Sequence, residues 1–596
     1  MNEPPMMIAA RAEQAMREGR LTEAVTDLVK LKSLVPEDPM VHLMWAFAHR
    51  GQGKIGEAVA GFEKALELSP NDIGIRGQFA SWLDDIGDYE TAVEHYDHIL
   101  KLQPNHLEAQ IDRALALARS NRHSEGVRDL KMIAKLNGGA LRAWSNLAIL
   151  LREDQQYDEA EAAARHILSR DPAHPRAHHI IAQCAYEQGK PASKLFVDGR
   201  KKAPDDLRLV GGQAAALIQE GSSDEALDLL DQTLVNSPEW AHGHNILADY
   251  RWQFEGQDDF ARSFDAALKE DPKQTALWSD LITLKAGALG HEAALTVIDQ
   301  GRSRHGDDPL FDLLEANSRS ELGEFEKAGE LFDSCNLESS SAAMLYYVRH
   351  LAKAKQFDQC AKQAMEMVEK GYGGDAWPYV STAWRMLDDP RWEWLEGNEA
   401  LIQSFDLDGM TAKLSKLAAK LRELHKFNVR PIGQSLRDGT QTEAALFSNQ
   451  APIIQSLVKH IRGAVEEYLE KLPAADAKHP LLGMARDSFR FTGSWSVRLT
   501  GAGFHVNHIH NHGSISSAFY VALPDGIGNG KKGAHDGWLA FGEPAAELDT
   551  GLPPIRMIEP KPGRLALFPS TMWHGTRPFG DGERLTCAFD VGLLNK

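Results

Sequence analysis

Apolar and polar positions follow one rhythm through the first two-thirds of this chain and another through its last hundred or so residues. In the first part, small and large apolar residues recur at helical spacing, as Ala58, Phe62 and Ala65 do in one stretch and Ala92 and Tyr96 in the next. From Ser488 onward that spacing disappears, and short apolar runs alternate with Gly and Pro turns. The runs at 489–491, 495–499, 516–523, 537–541, 555–558, 564–568 and 585–591 read as strands, enough for a β-sandwich or small barrel. Between the two rhythms, two amphipathic helices are expected. One spans 409–427 with Leu414, Leu417, Leu421 and Leu424 on one face; the other spans 451–472 with Ile454, Leu457, Ile461, Val465 and Leu469. The polar, glycine-bearing segment 431–442 joins them as a loop, from which Gln434, Arg437, Gln441 and Thr442 are within reach of a ligand.

The helical part is periodic on a larger scale. Pro36, Pro70 and Pro104 stand 34 residues apart, the series resumes at Pro172 with Gly138 in the skipped place, and Pro204, Pro238 and Pro272 follow. Before each proline a turn, often with glycine, leads into Glu-Ala, an aromatic or leucine, and Ala-Leu, most clearly from Gly53 to Pro70. A late copy runs from Gly323 through Ala328 to Phe332. Small residues at Ala58, Ala92, Ala160 and Ala226 allow helices to approach, Phe62 and Tyr96 fill the space beside them, and the proline ends the second helix. A unit of this size cannot bury its apolar face alone, so such units stack. Residues 6–385 resemble the tetratricopeptide repeat family. The resemblance implies an α-solenoid whose concave surface binds a protein or peptide, with no catalytic residue in the array. The tryptophan-rich segment 384–394 reads as its cap.

Composition narrows the function. A formal charge of −20 argues against a general nucleic-acid or anionic-membrane binder. Cys184, Cys335, Cys360 and Cys587 form no CxxC pair, which argues against a disulfide framework or a thiolate zinc site. With no long apolar run or signal peptide legible, a cytoplasmic protein is expected.

The candidate chemistry lies at 501–512, GAGFHVNHIHNH, with His505, His508, His510 and His512 within eight residues. Neutral imidazole is a common ligand for iron, zinc or copper. In an extended segment His508 and His510 project to the same face and His505 to the other, next to the metal ligands or facing substrate; His512 reads equally well as surface. A second strand-like run, 564–569, leads to an isolated His574, and Arg584 follows.

These residues, with Trp495, Gly503, Ser516 to Tyr520 and Gly563 to Ser570, resemble the iron(II)- and 2-oxoglutarate-dependent oxygenases over roughly residues 400–596, and within them a bacterial group often fused to tetratricopeptide repeats. The resemblance implies a double-stranded β-helix (jelly-roll, cupin-like) with flanking helices. It implies Fe(II) held by His508, His510 and His574, and 2-oxoglutarate whose distal carboxylate is gripped by Arg584, with a hydroxyl hydrogen bond from Tyr520. Dioxygen and 2-oxoglutarate are then cosubstrates, and a substrate is hydroxylated as 2-oxoglutarate becomes succinate. In one respect the sequence departs from that family: its wider pattern has aspartate two residues after the first histidine, where this chain has His510. Asp536 and Glu543 are carboxylates available from outside the motif, Phe568 and Trp573 read as core (Trp573 also as a pocket wall), and Asp590 reads as a structural strand residue.

The expected architecture is thus α+β and multidomain: a repeat solenoid over 1–385, a capping or linking segment over 386–408, and an oxygenase-like jelly-roll domain over 409–596. Two other functions fit the same residues. One is a cupin-like three-histidine dioxygenase that does not use 2-oxoglutarate; the other is a repeat scaffold whose C-terminal domain has lost catalysis.

Overall fold

The structure is a computed structural model that describes residues 3–593 except 121, 258, 444, 512, 526 and 528–534. His512 therefore lies outside the described residues. The chain divides into two compact units, Met1–Leu151 and Arg152–Asn595.

In the first unit the sequence period becomes a physical length. Helix Pro39–Gly51 has 13 residues and helix Ile55–Leu68 has 14; a three-residue turn separates them and a four-residue linker leads to Ile73–Asp85. One pair with its two connections spans the 34 residues between successive prolines. The three-residue turns hold Gly53 and Gly87 at φ +73° and +86°, a conformation that a side chain disfavours. The four-residue linkers hold Pro36 and Pro70 and end on Asp38 and Asp72, whose carboxylates accept backbone N–H groups of the next helix. Helices meet where the side chain is smallest: a Cβ on Gly61 would fall 3.0 Å from Ala46. Phe62 stacks on Phe79 at 4.8 Å, with the two rings 8° from parallel, in a core that includes Ala58, Ala92 and Tyr96. These are helix pairs of the tetratricopeptide kind, as the spacing predicts.

In the second unit, helix pairs continue from Tyr157–Leu168 to Gly373–Met386, followed by the short helix Arg391–Glu396. In the tryptophan-rich segment Trp384 is buried beside Trp377, and Arg391 lies over the Trp384 ring. The same unit then builds an antiparallel β domain with, among the described residues, nine strands: β1 (Gln403–Asp406), β2 (Leu436–Gln441), β3 (Phe489–His505), β4 (Ile515–Ala522), β5 (Leu539–Phe541), β6 (Arg556–Ile558), β7 (Arg564–Pro569), β8 (His574–Thr576) and β9 (Glu583–Leu593). Six form one sheet in the order β1-β7-β4-β9-β3-β2, and three form a second, β6-β5-β8. Helices Leu414–Leu424 and Pro452–Lys471 cover one face of the large sheet, packing Leu417, Leu421, Leu457 and Ile461 against Phe519, Leu565 and Phe589. The small sheet packs Leu539, Phe541 and Ile558 against Ala566 and Phe568 of β7.

Four strands differ from the sequence reading, among them the three-residue β8, which no expected run covers. β2 occupies half of the segment expected as a loop. Its polar residues suit the edge position it takes against β3, a pairing that local composition does not encode. β1 is the other edge, formed by four residues whose partner is β7. The runs 489–491 and 495–499 join into one long β3, which crosses a register shift between Phe491 and Gly493 and stays paired with β9.

Within this unit the helices and the β domain are sewn together. Trp252 Nε1 donates to the Arg430 carbonyl at 3.0 Å, and Asp249 Oδ1 accepts the Ile432 N–H at 2.8 Å, which seats the start of the 431–442 segment on the helix Ala241–Glu255. Trp573 is buried, edge-on to Tyr379, and its Nε1 reaches the Pro378 carbonyl at 3.2 Å and Thr382 Oγ1 at 3.1 Å. The residue next to His574 is thus fastened to the last long helix of the array.

Candidate functional site

His508 and His574 are brought together by an isolated antiparallel bridge between the segment after β3 and the start of β8. His510 follows on the same segment, held by its own N–H, which donates to the Ser570 carbonyl at 2.9 Å. Ring centroids stand 4.3 Å apart for His508 and His574, 5.2 Å for His508 and His510, and 5.1 Å for His510 and His574. One nitrogen from each lies within 4.8 Å of the other two. Among the described residues this is the one group of three or more His, Cys, Asp or Glu side chains with metal-holding geometry.

The hydrogen bonds fix how each ring faces. His508 Nδ1 lies 2.8 Å from the Val506 carbonyl and His574 Nδ1 lies 3.0 Å from the Met572 carbonyl. A carbonyl only accepts, so both Nδ1 atoms carry the proton. His510 Nδ1 lies 2.7 Å from Asp590 Oδ1. In a neutral imidazole the other nitrogen is then a free lone pair, so three Nε2 atoms are left for an electrophile. Enclosure by protein, and then the neighbouring His510, hold His508 down to about 3. Burial, and then His508 and His510, hold His574 well below the usual imidazole value. Both are therefore neutral at physiological pH, the form that binds a metal.

Arg584 faces the same cavity of about 310 Å³ as the three histidines. It is 3% exposed, yet its Nε and Nη1 have no hydrogen-bond partner, and burial pulls its pKa below the usual guanidinium value. Its Cζ lies 5.2 Å from the ring centre of Tyr520, which is fully buried beside it and does not itself line the cavity. A buried cation with two unpaired donors and no counter-charge is costly, and a small anion in the cavity would relieve it.

The other expected residues separate. His505 lines the cavity with its ring 5.7 Å from that of His508 and its Nδ1 3.0 Å from Ser435 Oγ; burial, and then His508, keep it well below the usual value. Gln434, Arg437 and Gln441 also line the cavity. Thr442 does not, because it clasps Ser496: the Thr442 N–H donates to the Ser496 carbonyl at 3.0 Å and Thr442 Oγ1 accepts the Ser496 N–H at 2.9 Å. Phe568 and Trp573 are buried core, and Phe568 also touches the cavity. Asp536 and Glu543 stay out of the histidine cluster, and Glu543 pairs with Arg577 at 2.9 Å. The carboxylate at the cluster is instead Asp590, read from sequence as a structural strand residue. Its signal was available: Arg584, Thr586, Ala588 and Asp590 alternate along β9, and the first three line the cavity, so the face that carries Arg584 also carries Asp590.

Comparison with known proteins agrees with both halves of this description. Residues 493–590 match the family model described as "Putative 2OG-Fe(II) oxygenase", and residues 80–138 and 145–193 match that of the tetratricopeptide repeat. One chain therefore carries tetratricopeptide repeats and a domain of that oxygenase family. No curated protein matches it. Similar solved structures include a tetratricopeptide repeat protein from Parabacteroides merdae, at 18% identity over 52% of this chain and 97% of that one with a TM-score of 0.29. Another is yeast Tom70, at 15% identity over 65% and 98% with a TM-score of 0.32. Among the described residues no helix is long and apolar enough to cross a membrane.

Proposed function

We propose that the C-terminal domain, residues 409–596, is an Fe(II)- and 2-oxoglutarate-dependent oxygenase, that residues 1–385 recruit a protein or peptide to it, and that 386–408 link the two. His508, His510 and His574 would hold the iron. The single observation that carries the cosubstrate assignment is Arg584, a buried guanidinium with no carboxylate of its own, opening on the same cavity as three inward-facing imidazoles.

The residues fit both absent groups. Three imidazole nitrogens within 4.8 Å of one another would hold an iron and leave room there for further ligands. The planar fork of Arg584 suits a carboxylate bidentately, and Tyr520, packed beside the guanidinium, would add a hydroxyl hydrogen bond. When bound, iron(II) and 2-oxoglutarate supply the oxidising chemistry, in which succinate forms as the substrate is hydroxylated. The chain would orient these groups. Met572 and Val506 fix the tautomer of two histidines through their carbonyls, and burial keeps Arg584 from satisfying itself with solvent. Gln434, Arg437 and Gln441, on a segment seated on the repeat helices, line the cavity from the side where a recruited substrate would be read.

The test is anaerobic titration of 2-oxoglutarate into the Fe(II)-loaded protein, with succinate measured after oxygen is admitted. The expected result is a metal-to-ligand absorption band that disappears in Arg584→Ala, and succinate formation that disappears in His574→Ala. Iron binding without a band or succinate would replace this function by a three-histidine dioxygenase independent of 2-oxoglutarate. A protein that takes up no iron would be a scaffold.

A further inference from the structure

Two of the three clustered imidazoles give their Nδ1–H to backbone carbonyls, whereas His510 gives its own to a carboxylate, Asp590 Oδ1, at 2.7 Å. Ser516 Oγ donates to the same oxygen at 2.6 Å and lies 2.9 Å from His510 Nδ1, so the three side chains form a closed triangle. Asp590 is 8% exposed, and its ion-pair partner among the described residues is His510, with no lysine or arginine on it. The close fit depends on Gly513, where a Cβ would fall 3.0 Å from Asp590 Cβ and 2.9 Å from Ser570 Oγ. A buried carboxylate thus makes its direct contact with one imidazole of the cluster, His510, whereas the other two give their Nδ1–H to carbonyls.

We infer that Asp590 is a positioning residue that supplies, one hydrogen bond removed from the metal, the negative charge missing from a ligand set in which His510 stands in the carboxylate position. This rests on the proposal above that the three histidines hold iron. A carboxylate on the Nδ1–H of a ligating imidazole fixes the ring and strengthens the Nε2 donor. His510 would therefore be the electron-rich corner of the set, and the metal would feel a partly anionic ligand there. Ser516 holds the carboxylate in the plane where it can act.

The test uses the full-length protein. Asp590→Asn keeps the shape and an accepting oxygen but removes the charge; Ser516→Ala keeps the charge but frees the carboxylate. Fe(II) affinity is measured anaerobically, and the midpoint potential of the bound iron by mediated titration. The expected result is 10–100-fold weaker iron binding in Asp590→Asn, with the potential shifted upward because the ferric charge has lost its stabilising neighbour. Ser516→Ala should shift both in the same direction by less, and it carries the test alone if Asp590→Asn does not fold. An unchanged potential in the variants, beside a wild type that binds iron, overturns the inference and leaves Asp590 a packing residue. A wild type that binds no iron overturns the metal assignment itself.

Discussion

His508 and His574 exchange both backbone hydrogen bonds: the His508 N–H donates to the His574 carbonyl at 2.9 Å, and the His574 N–H returns to the His508 carbonyl at 3.0 Å. The bridge sets their rings 4.3 Å apart, so the main chain, before any side-chain contact, decides that two distant segments share one site.

That bridge should be breakable from the residue beside it. A Cβ on Gly575 would fall 2.1 Å from Asn507 Oδ1, and Asn507 is tied through its Nδ2 to the Pro544 carbonyl. Gly575→Ala should therefore spread the two strands, lower stability by about 1–3 kcal/mol and weaken metal binding at least about tenfold through misplaced ligands. Calorimetric metal titration with denaturant unfolding measures both; wild-type affinity in this variant would mean that the bridge does not position the ligands.

Arg584 should be a residue whose removal stabilises the protein and abolishes cosubstrate binding. Its buried Nε and Nη1 are unpartnered. Arg584→Met should raise folding stability by about 1–3 kcal/mol in the absence of 2-oxoglutarate, by removing unsatisfied donors. Wild type should gain about 2.7 kcal/mol from 2-oxoglutarate at a hundred times its Kd, and the variant nothing. Thermal unfolding with and without 2-oxoglutarate would show a variant less stable than wild type if the guanidinium is already satisfied.

Glu396 predicts a pH dependence of stability. Burial raises its pKa from 4.5 to about 7, against the opposing effects of the Ser381 hydroxyl, which donates to it at 2.5 Å, and of Arg385. Between those two values the unfolded chain has released this proton and the folded chain retains it, so stability falls as pH rises through that window. The loss amounts to about 3 kcal/mol by pH 8. Glu396→Gln should remove this part of the slope and be more stable than wild type at pH 8. Equal urea midpoints for the two proteins at pH 8 and at pH 5 would show that the carboxyl ionises freely.

The repeat region offers a packing test in the first compact unit. A Cβ on Gly126 would fall 2.4 Å from the Ala114 carbonyl oxygen and 2.4 Å from the Ala118 nitrogen, both backbone atoms of the preceding helix, Leu107–Arg119. Gly126→Ala should force these helices apart at a cost of about 1–3 kcal/mol or more, visible as a lower melting temperature by circular dichroism. A variant as stable as wild type would show that this close approach does not hold the pair together.

Much of the fold was legible in the sequence because its signals are local. The repeat period is the combined length of two helices and their turns, and each helix face is written in neighbouring side chains. The gap lay where pairing overrode composition. Leu436–Gln441 is polar and carries a glycine, so it reads as a loop, and it becomes a strand only because β3 offers an unpaired edge. His574–Thr576 is too short to show any alternation. At the candidate site the clustered histidines stand out by residue type and spacing and Arg584 by the family resemblance, whereas Asp590 shares the face of Arg584 along β9 but meets His510 only through the folding of the chain.

The sequence by itself determined the helix-pair array, the change to β structure after Ser488 and the set of side chains able to act, because periodicity and residue type are properties of neighbours. Tertiary structure decided which of those side chains meet. It joined His508 to His574 through an antiparallel bridge, left Arg584 buried without a counter-charge, and set Asp590 and Ser516 on His510. Strand register places residues side by side whatever their separation in sequence, and those separations carry no record of the register.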